Sequence, residues 1–235
     1  GVQTCALPIS ALNALYFGSS RTIDSVAALS GLVGTKDGQT LFMISFYPGW
    51  ATNPDVPIGG HNWVWNSKTP KNRHDGGTIV SPTVQWDGGA STLAAFLSGA
   101  AETDVAGLGC WIDPEAEHEV FVDNFGARPG NVSFAASNFA AIRAAAETAL
   151  THYPVRLEGM REVKYGHGEY FIMGNSVFMP NRSQMIGLPG NYRYRRGLKH
   201  SGKGRVATVI TLVSAGSGET WFYDTTDANF PGDTS

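Results

Sequence analysis

Three groups of residues in this 235-residue chain combine side-chain types with a spacing that chemistry can use. The first is a basic stretch with rings interleaved: Tyr192, Arg193, Tyr194, Arg195, Arg196 and Lys199, continued by Lys203 and Arg205. Cations attract an acidic polymer and rings stack on flat apolar faces, so the stretch suits an acidic polysaccharide. It equally suits a solvated loop or a contact between subunits. The second group is a pair of acids, Asp224 and Asp227. Hydrolysis of a glycosidic bond wants two carboxylates roughly 5–9 Å apart. These two lie in a turn-like run, where aspartates cap turns, and no catalytic residue is assigned. The third is Gly197 to Gly202 followed by Lys203, which has the spacing of a phosphate-binding loop. Its context is wrong: Gly204 stands where a Ser or Thr is needed, and a strand-like run over 205–213 follows where a helix is required. Nucleotide binding is not expected.

The remaining candidates are weaker. The six histidines, His61, His74, His118, His152, His167 and His200, form no pair with metal-binding spacing, so neither metal nor cofactor is expected. Five tryptophans, Trp50, Trp63, Trp65, Trp86 and Trp111, invite a sugar-stacking reading. Core packing is the competing one, since aromatic rings carry the largest burial per side chain in a small β module. Trp63 and Trp65 alternate with Val64 and share one strand face, which favours core.

These residues need elements to hold them, and the sequence punctuates itself clearly. Residues 23–29 read as a short helix ended near Gly31 and Gly34. From Asp37 the pattern turns to β: DGQTLFMISFYPG, GGHNWVW, HDGGTIVSPT and GCWI, with a strand over 41–47 and a short helical or loop insertion over 90–101. Glycines at each break suit tight turns and close backbone approach. Residues 113–119 read as an acidic linker. Beyond it, VFVDNFGARPG (120–130) leads to FAAIRAAAETA (139–149) and then GEYFIMGNSVFMPNRSQMIGLPG (168–190). Phe139, Ile142 and Leu150, with Ala135, Ala146 and Ala149 nearby, form one apolar side of an α-helix. Arg143 and Glu147 sit four apart on another side. Asn131 or Ser133 can cap this helix, and Pro154 stops it. Short apolar runs follow over 168–173, 176–179 and 184–188, each closed by a turn residue, as rungs of a solenoid require.

The segment 120–190 resembles the start of the pectate-lyase-like right-handed parallel β-helix of bacteriophage tailspikes and related polysaccharide-degrading proteins. Gly168-Glu169-Tyr170 matches that family's Gly-x-Tyr turn. Residues 179–187 match its Pro-Ser-Gly-Val-x-Leu-x-Gly run loosely. The family's acidic cluster before the helix is missing from 129–138. The block from 37 to 112 resembles a small β module found directly before the β-helix in phage tail fibres and tailspikes. The resemblance implies a mainly β fold: a small N-terminal β module, then the helix-capped start of a right-handed parallel β-helix. It implies adhesion to a bacterial surface polysaccharide in the virion tail, with or without depolymerase activity, by a homotrimer. A secreted pectate-lyase-like enzyme and a non-catalytic adhesin remain open as alternatives.

Composition agrees with this class. Short strand-like runs punctuated by 29 glycines and 12 prolines argue for a mainly β chain. A formal net charge of −3 gives no push towards nucleic acid. No apolar stretch is long enough to insert in a membrane. Residues 1–9, GVQTCALPI, can be reverse-translated into a common sequencing-library adapter and are expected to be a processing scar, which leaves Cys110 as the one native cysteine. The expected organisation is then a scar at 1–9, a helical lead-in at 10–34, the β module at 35–112, a linker at 113–119, and the cap and first rungs of a truncated β-helix at 120–235. Catalytic groups, where the parent protein has them, are expected downstream.

Overall fold

The structure is a computed structural model that describes residues 21–53, 57–116, 119–151, 162–173, 199–201 and 208–214. Its first part is a five-stranded sheet built from β1 (Arg21–Ile23), β2 (Thr40–Met43), β3 (Asn62–Pro70), β4 (Ile79–Val80) and β5 (Leu108–Ile112). The spatial order is β1-β2-β3-β5-β4, with β1 and β2 parallel and the other pairs antiparallel. The period-2 alternation works as the sequence suggests: Leu41, Met43, Trp63 and Trp65 face inward and are buried. Trp65 and Trp111 are direct cross-strand partners, their rings edge-to-face at 5.3 Å. Such pairs stabilise a sheet by about 0.5–1.5 kcal/mol beyond the area they bury. Helices α1 (Val26–Leu29) and α2 (Leu93–Leu97) add Val26, Leu29, Leu93, Phe96 and Leu97 to the same core.

Two boundaries differ from the sequence reading. The sheet starts at Arg21, because Ile23 is consumed as a strand residue and its carbonyl accepts from the Ile44 N–H. Only Val26–Leu29 remain helical, one turn without a side-chain cap. The stretch from residue 113 is also more than a linker. Asp113 is buried and accepts from the Glu115 N–H and the Asn124 amide, because the chain turns back there onto the sheet.

The second part pairs its strands in parallel. β6 (Glu119–Phe121), β7 (Glu162–Lys164) and β9 (Lys199–Ser201) form one ladder, with Val120, Val163 and His200 in register. β8 (Gly168–Met173) and β10 (Thr208–Ser214) form another, with Tyr170 opposite Ile210. The chain passes from β7 to β8, then to β9 beside β7, then to β10 beside β8. Each circuit adds one strand to each ladder, which is how a solenoid advances.

Helix α3 (Ala135–Thr151) packs on β6, β7 and β8, on the 3-10 turn Val122–Phe125, and on α2. Asn131 caps the 3-10 turn that leads into it by accepting from the Ser133 N–H at 2.9 Å. Ile142 is buried in one core with Val120 and Val122, and Phe139 packs partly buried against that core. Arg143 and Glu147 form the expected surface pair at 3.0 Å, a contact of little energetic weight in water. The buried face is wider than one apolar stripe. Ser137, Asn138, Ala141, Ala145 and Thr148 are buried as well, because the helix is wedged between the sheet and the parallel strands.

Candidate functional site

The residues singled out for chemistry divide by location. Tyr192, Arg193, Tyr194, Arg195 and Arg196 lie outside the described residues, as do Asp224, Asp227 and residues 1–9. Lys199 is the first residue of β9. The glycine-lysine motif is broken by the fold: its middle, Lys199–Ser201, is a strand paired to β7, and β10 is the next described element. Cys110 is buried, and burial pushes its thiol up to about 12, so it is no nucleophile at neutral pH. Among the described residues no cluster of His, Cys, Asp or Glu is placed to hold a metal, and no helix is long and apolar enough to cross a membrane. Trp63, Trp65, Trp86 and Trp111 belong to the core, whereas Trp50 is 39% exposed.

Three knots of buried polar groups join the sheet to the elements that follow it. Asp75 forms the first. Its Oδ1 accepts from the N–H groups of Gly77, Thr78 and Ile79 at 2.9, 2.7 and 2.8 Å. Its Oδ2 accepts from the Thr78 hydroxyl and, at 3.3 Å, from the Thr148 hydroxyl on α3. One carboxylate therefore closes its own turn and ties the sheet to the helix. Gly77 lies flat on the Phe125 ring, where a Cβ would come within 2.5 Å of ring carbons. Gly59 adopts φ +65°, and a Cβ there would strike the Asp123 carbonyl. Both glycines let the two halves approach closely.

A second knot surrounds Arg128. Its guanidinium is held between the Tyr47 and Phe134 rings, 3.9 and 3.7 Å from the centroids. The Tyr47 hydroxyl donates to the Gly126 carbonyl at 2.8 Å, and burial raises it to about 12, so it stays protonated. Asn138 clamps the Arg128 backbone from both sides: its Oδ1 accepts from the N–H at 2.7 Å, and its Nδ2 donates to the carbonyl at 2.8 Å. The same Nδ2 donates to the Phe171 carbonyl on β8 at 2.9 Å. Tyr170 of the Gly-x-Tyr turn donates to Asp123 Oδ1 at 2.7 Å and accepts from the Gly166 N–H.

The third knot is His61, Asp113 and Asn124. His61 Nδ1 donates to the Gly59 carbonyl at 2.8 Å, and its Nε2 lies 3.7 Å from Asp113 Oδ2, too far for a hydrogen bond. Burial lowers the histidine below its ordinary value, and the attraction of Asp113 does not offset it. Burial likewise raises Asp113, against the opposing pull of His61. Burial is the larger cause for both groups, since each side chain is almost wholly removed from water.

This pairing has a measurable consequence. The fold disfavours protonated His61, so the stability it contributes is complete above its unfolded value of about 6.5. That stability is lost as pH falls from there towards the depressed folded value. Asp113 acts with the opposite sign, because its raised folded value makes protonation favour the fold. The His61 contribution to the unfolding free energy should decline as pH falls from about 7.5 through its unfolded value of about 6.5, with a slope of up to about 1.4 kcal/mol per pH unit for the one proton involved. Denaturant titrations across that range should show a flatter slope in His61→Gln; an unchanged slope would assign the effect elsewhere.

None of these three knots presents a nucleophile or an open carboxylate pair. Their chemistry is that of a joint. Asp75, Tyr47, Arg128 and Asn138 carry it. Sequence reasoning misses them because each depends on a partner between 10 and 81 positions away. The signal available was the Asp75-Gly76-Gly77-Thr78 string, which marks a turn whose aspartate must accept from the backbone.

Residues 22–112 match a family described as the phage tail protein small four-stranded β-sheet domain. No curated protein matches the chain. Among solved structures, the tailspike protein of Acinetobacter phage vB_ApiP_P1 is similar with a TM-score of 0.47 and 17% identity, over 82% of this chain and 24% of that one. The gp42 tailspike of Acinetobacter phage vb_AbaP_AS12 gives 0.44 and 14%, over 81% and 22%. The gp49 tailspike of Acinetobacter baumannii bacteriophage Fri1, described as a capsular polysaccharide depolymerase, gives 0.37 and 17%, over 67% and 22%. The chain thus spans less than a quarter of the length of these three proteins.

Proposed function

We propose that this chain is the N-terminal portion of a bacteriophage tailspike or tail fibre, located in the virion tail, whose full-length form binds and in some hosts degrades a bacterial surface polysaccharide. The observation that carries the reading is a junction. A segment matching a phage-tail β-sheet domain is joined, through a buried seam, to strands that add in parallel to two ladders. On this reading α3 caps the first coil of a β-helix, right-handed by the general rule for parallel crossovers. The cap is needed because an open solenoid end leaves backbone groups and apolar side chains bare. The full-length protein is a homotrimer, and the basic stretch from Tyr192 to Lys199 contacts acidic units of the glycan.

The test is binding of the purified 235-residue chain to a panel of capsular and pectic polysaccharides at two salt concentrations. We expect retention on an acidic bacterial polysaccharide that weakens with salt, as exposed charge contacts do, and that falls when Arg193, Arg195 and Arg196 are replaced by alanine. The same samples should release no reducing ends and no unsaturated product of β-elimination. Failure to bind any member of the panel would count against glycan recognition by this portion. Turnover that vanishes on replacing Asp224 or Asp227 would instead make this portion the catalytic one.

A further inference from the structure

Among the described residues two large aromatic side chains, Phe42 and Trp50, stand exposed outside the core, and the setting of Trp50 is specific. The residues just before it in the chain belong to a ring cluster: Phe46, Tyr47 and Trp86 pack mutually at 5.0 to 5.5 Å, and Trp86 stacks on Phe96 at 5.2 Å. The Phe46 N–H donates to the Ile58 carbonyl at 2.6 Å, and Ser45 exchanges hydrogen bonds with the Ile58 backbone. The chain that leaves this base turns sharply at Gly49, with φ +79°. The N–H groups of Thr52 and Asn53 both donate to the Gly49 carbonyl at 3.0 Å, and the Thr52 hydroxyl donates to it as well. Pro48 lies against Gly88, which further fixes the turn. Trp50 stands on this turn, 39% exposed.

We propose that Trp50 is a stacking site for a neutral hexopyranose ring. A ring presented by a hydrogen-bonded turn on a rigid base loses little freedom on binding, which is the condition for a useful contact. The neighbours decide between a sugar and a protein partner. Residues 48–53, Pro-Gly-Trp-Ala-Thr-Asn, carry no charge, and none of the other large exposed apolar side chains (Val33, Phe42, Val105, Leu108 and Val132) belongs to this turn. A protein anchor is expected inside a contiguous apolar patch. An exposed indole flanked in sequence by small, hydroxyl- and amide-bearing residues instead matches a pyranose, with one apolar C–H face and a rim of hydroxyls. The site rests on the glycan-binding reading above, uses none of the residues of the basic stretch, and would take the uncharged units of the same polymer.

The experiment follows the indole N–H signals of the six tryptophans in the full chain by NMR, with Trp50 assigned by its loss in Trp50→Phe. The probes are methyl β-glucoside, methyl β-galactoside and their neutral β-linked oligosaccharides. The Trp50 signal should move progressively and saturably while the other indoles stay still. Trp50→Ala should weaken binding by about tenfold or more, and Trp50→Tyr should retain most of it. No movement of the Trp50 signal with any probe overturns the proposal, as does equal sugar binding by Trp50→Ala. Broadening of Trp50 with protein concentration alone, without response to sugar, overturns it in favour of contact with a second copy. Unchanged retention of Trp50→Ala on the bacterial polysaccharide removes this site and leaves the tailspike reading standing. Absence of all glycan binding by the unmodified chain removes both this site and glycan recognition by this portion.

Discussion

Replacing Asp75 by alanine should destabilise the chain by about 3–5 kcal/mol. The cost comes from what the carboxylate leaves behind. Three backbone N–H groups, those of Gly77, Thr78 and Ile79, converge on Oδ1, and residues 74–82 are buried without a break. Alanine supplies no acceptor, and water has poor access. Each buried donor left unpaired costs about 1–3 kcal/mol, reduced where the turn can relax. The two hydroxyls, Thr78 and Thr148, can rotate to other acceptors and add less. Asp75→Asn keeps one carbonyl oxygen for the N–H groups and should recover about half of the loss. Thr148→Val isolates the link to α3. It removes a 3.3 Å hydrogen bond and nearly nothing else, so about 1 kcal/mol is expected. Denaturant unfolding of the three variants tests the order. An Asp75→Ala variant within about 1 kcal/mol of the parent would mean that solvent reaches these donors and that the turn is not a fixed joint.

That joint also marks the limit of what the residues reveal by themselves. Local rules carry the sheet well. The alternation of Trp63 and Trp65, the glycines at each turn, and the run Gly168–Met173 all lie where periodicity and turn residues put them. They do so because each rests on neighbours within a few positions. Ile23 reads as helical in the sequence because β1 exists only through its partner β2, roughly twenty residues on, and a three-residue strand has no period of its own. Asp113 looks like linker because acids usually face water; the Glu115 N–H and the return of the chain that brings Asn124 beside it make burial tolerable. Trp50 cannot be separated from the four core tryptophans by composition. The turn around Gly49 separates it, and that turn is visible only once the Phe46–Ile58 contact closes its base. The parallel register of the ladders is likewise invisible locally, since the partners Glu162 and Lys199 are separated by most of a coil. The basic stretch and the acids Asp224 and Asp227 are legible as chemistry from residue type alone, whereas a geometry for them needs positions outside the described residues.

Ile142→Ala should cost about 2–5 kcal/mol, at the upper part of that range. Ile142 is 1% exposed and shares its core with Val120 and Val122, both buried, and with Val163, Tyr170 and Ile172 of the parallel strands. Truncation removes the transfer energy of the deleted carbons and leaves a hole that must collapse to be cheap. Collapse is hindered on every side of α3. Ala141, Ala145 and Ala146 already bring its backbone close to its neighbours, so those positions have no side chain left to fill the space. Asn138, one turn earlier, pins the helix to Arg128 and to β8 through three hydrogen bonds. Thr148, on the other side of Ile142, pins it to Asp75. A helix held at both ends cannot slide into the void. Phe139 offers the contrast: it is only partly buried, so Phe139→Ala should cost less than the full burial of a phenyl ring implies, about 1–3 kcal/mol. Unfolding followed by far-ultraviolet circular dichroism and by tryptophan fluorescence reads both variants. An Ile142→Ala variant as stable as the parent would mean that α3 does not bury this face, and the closing of the first coil by the helix would fall with it.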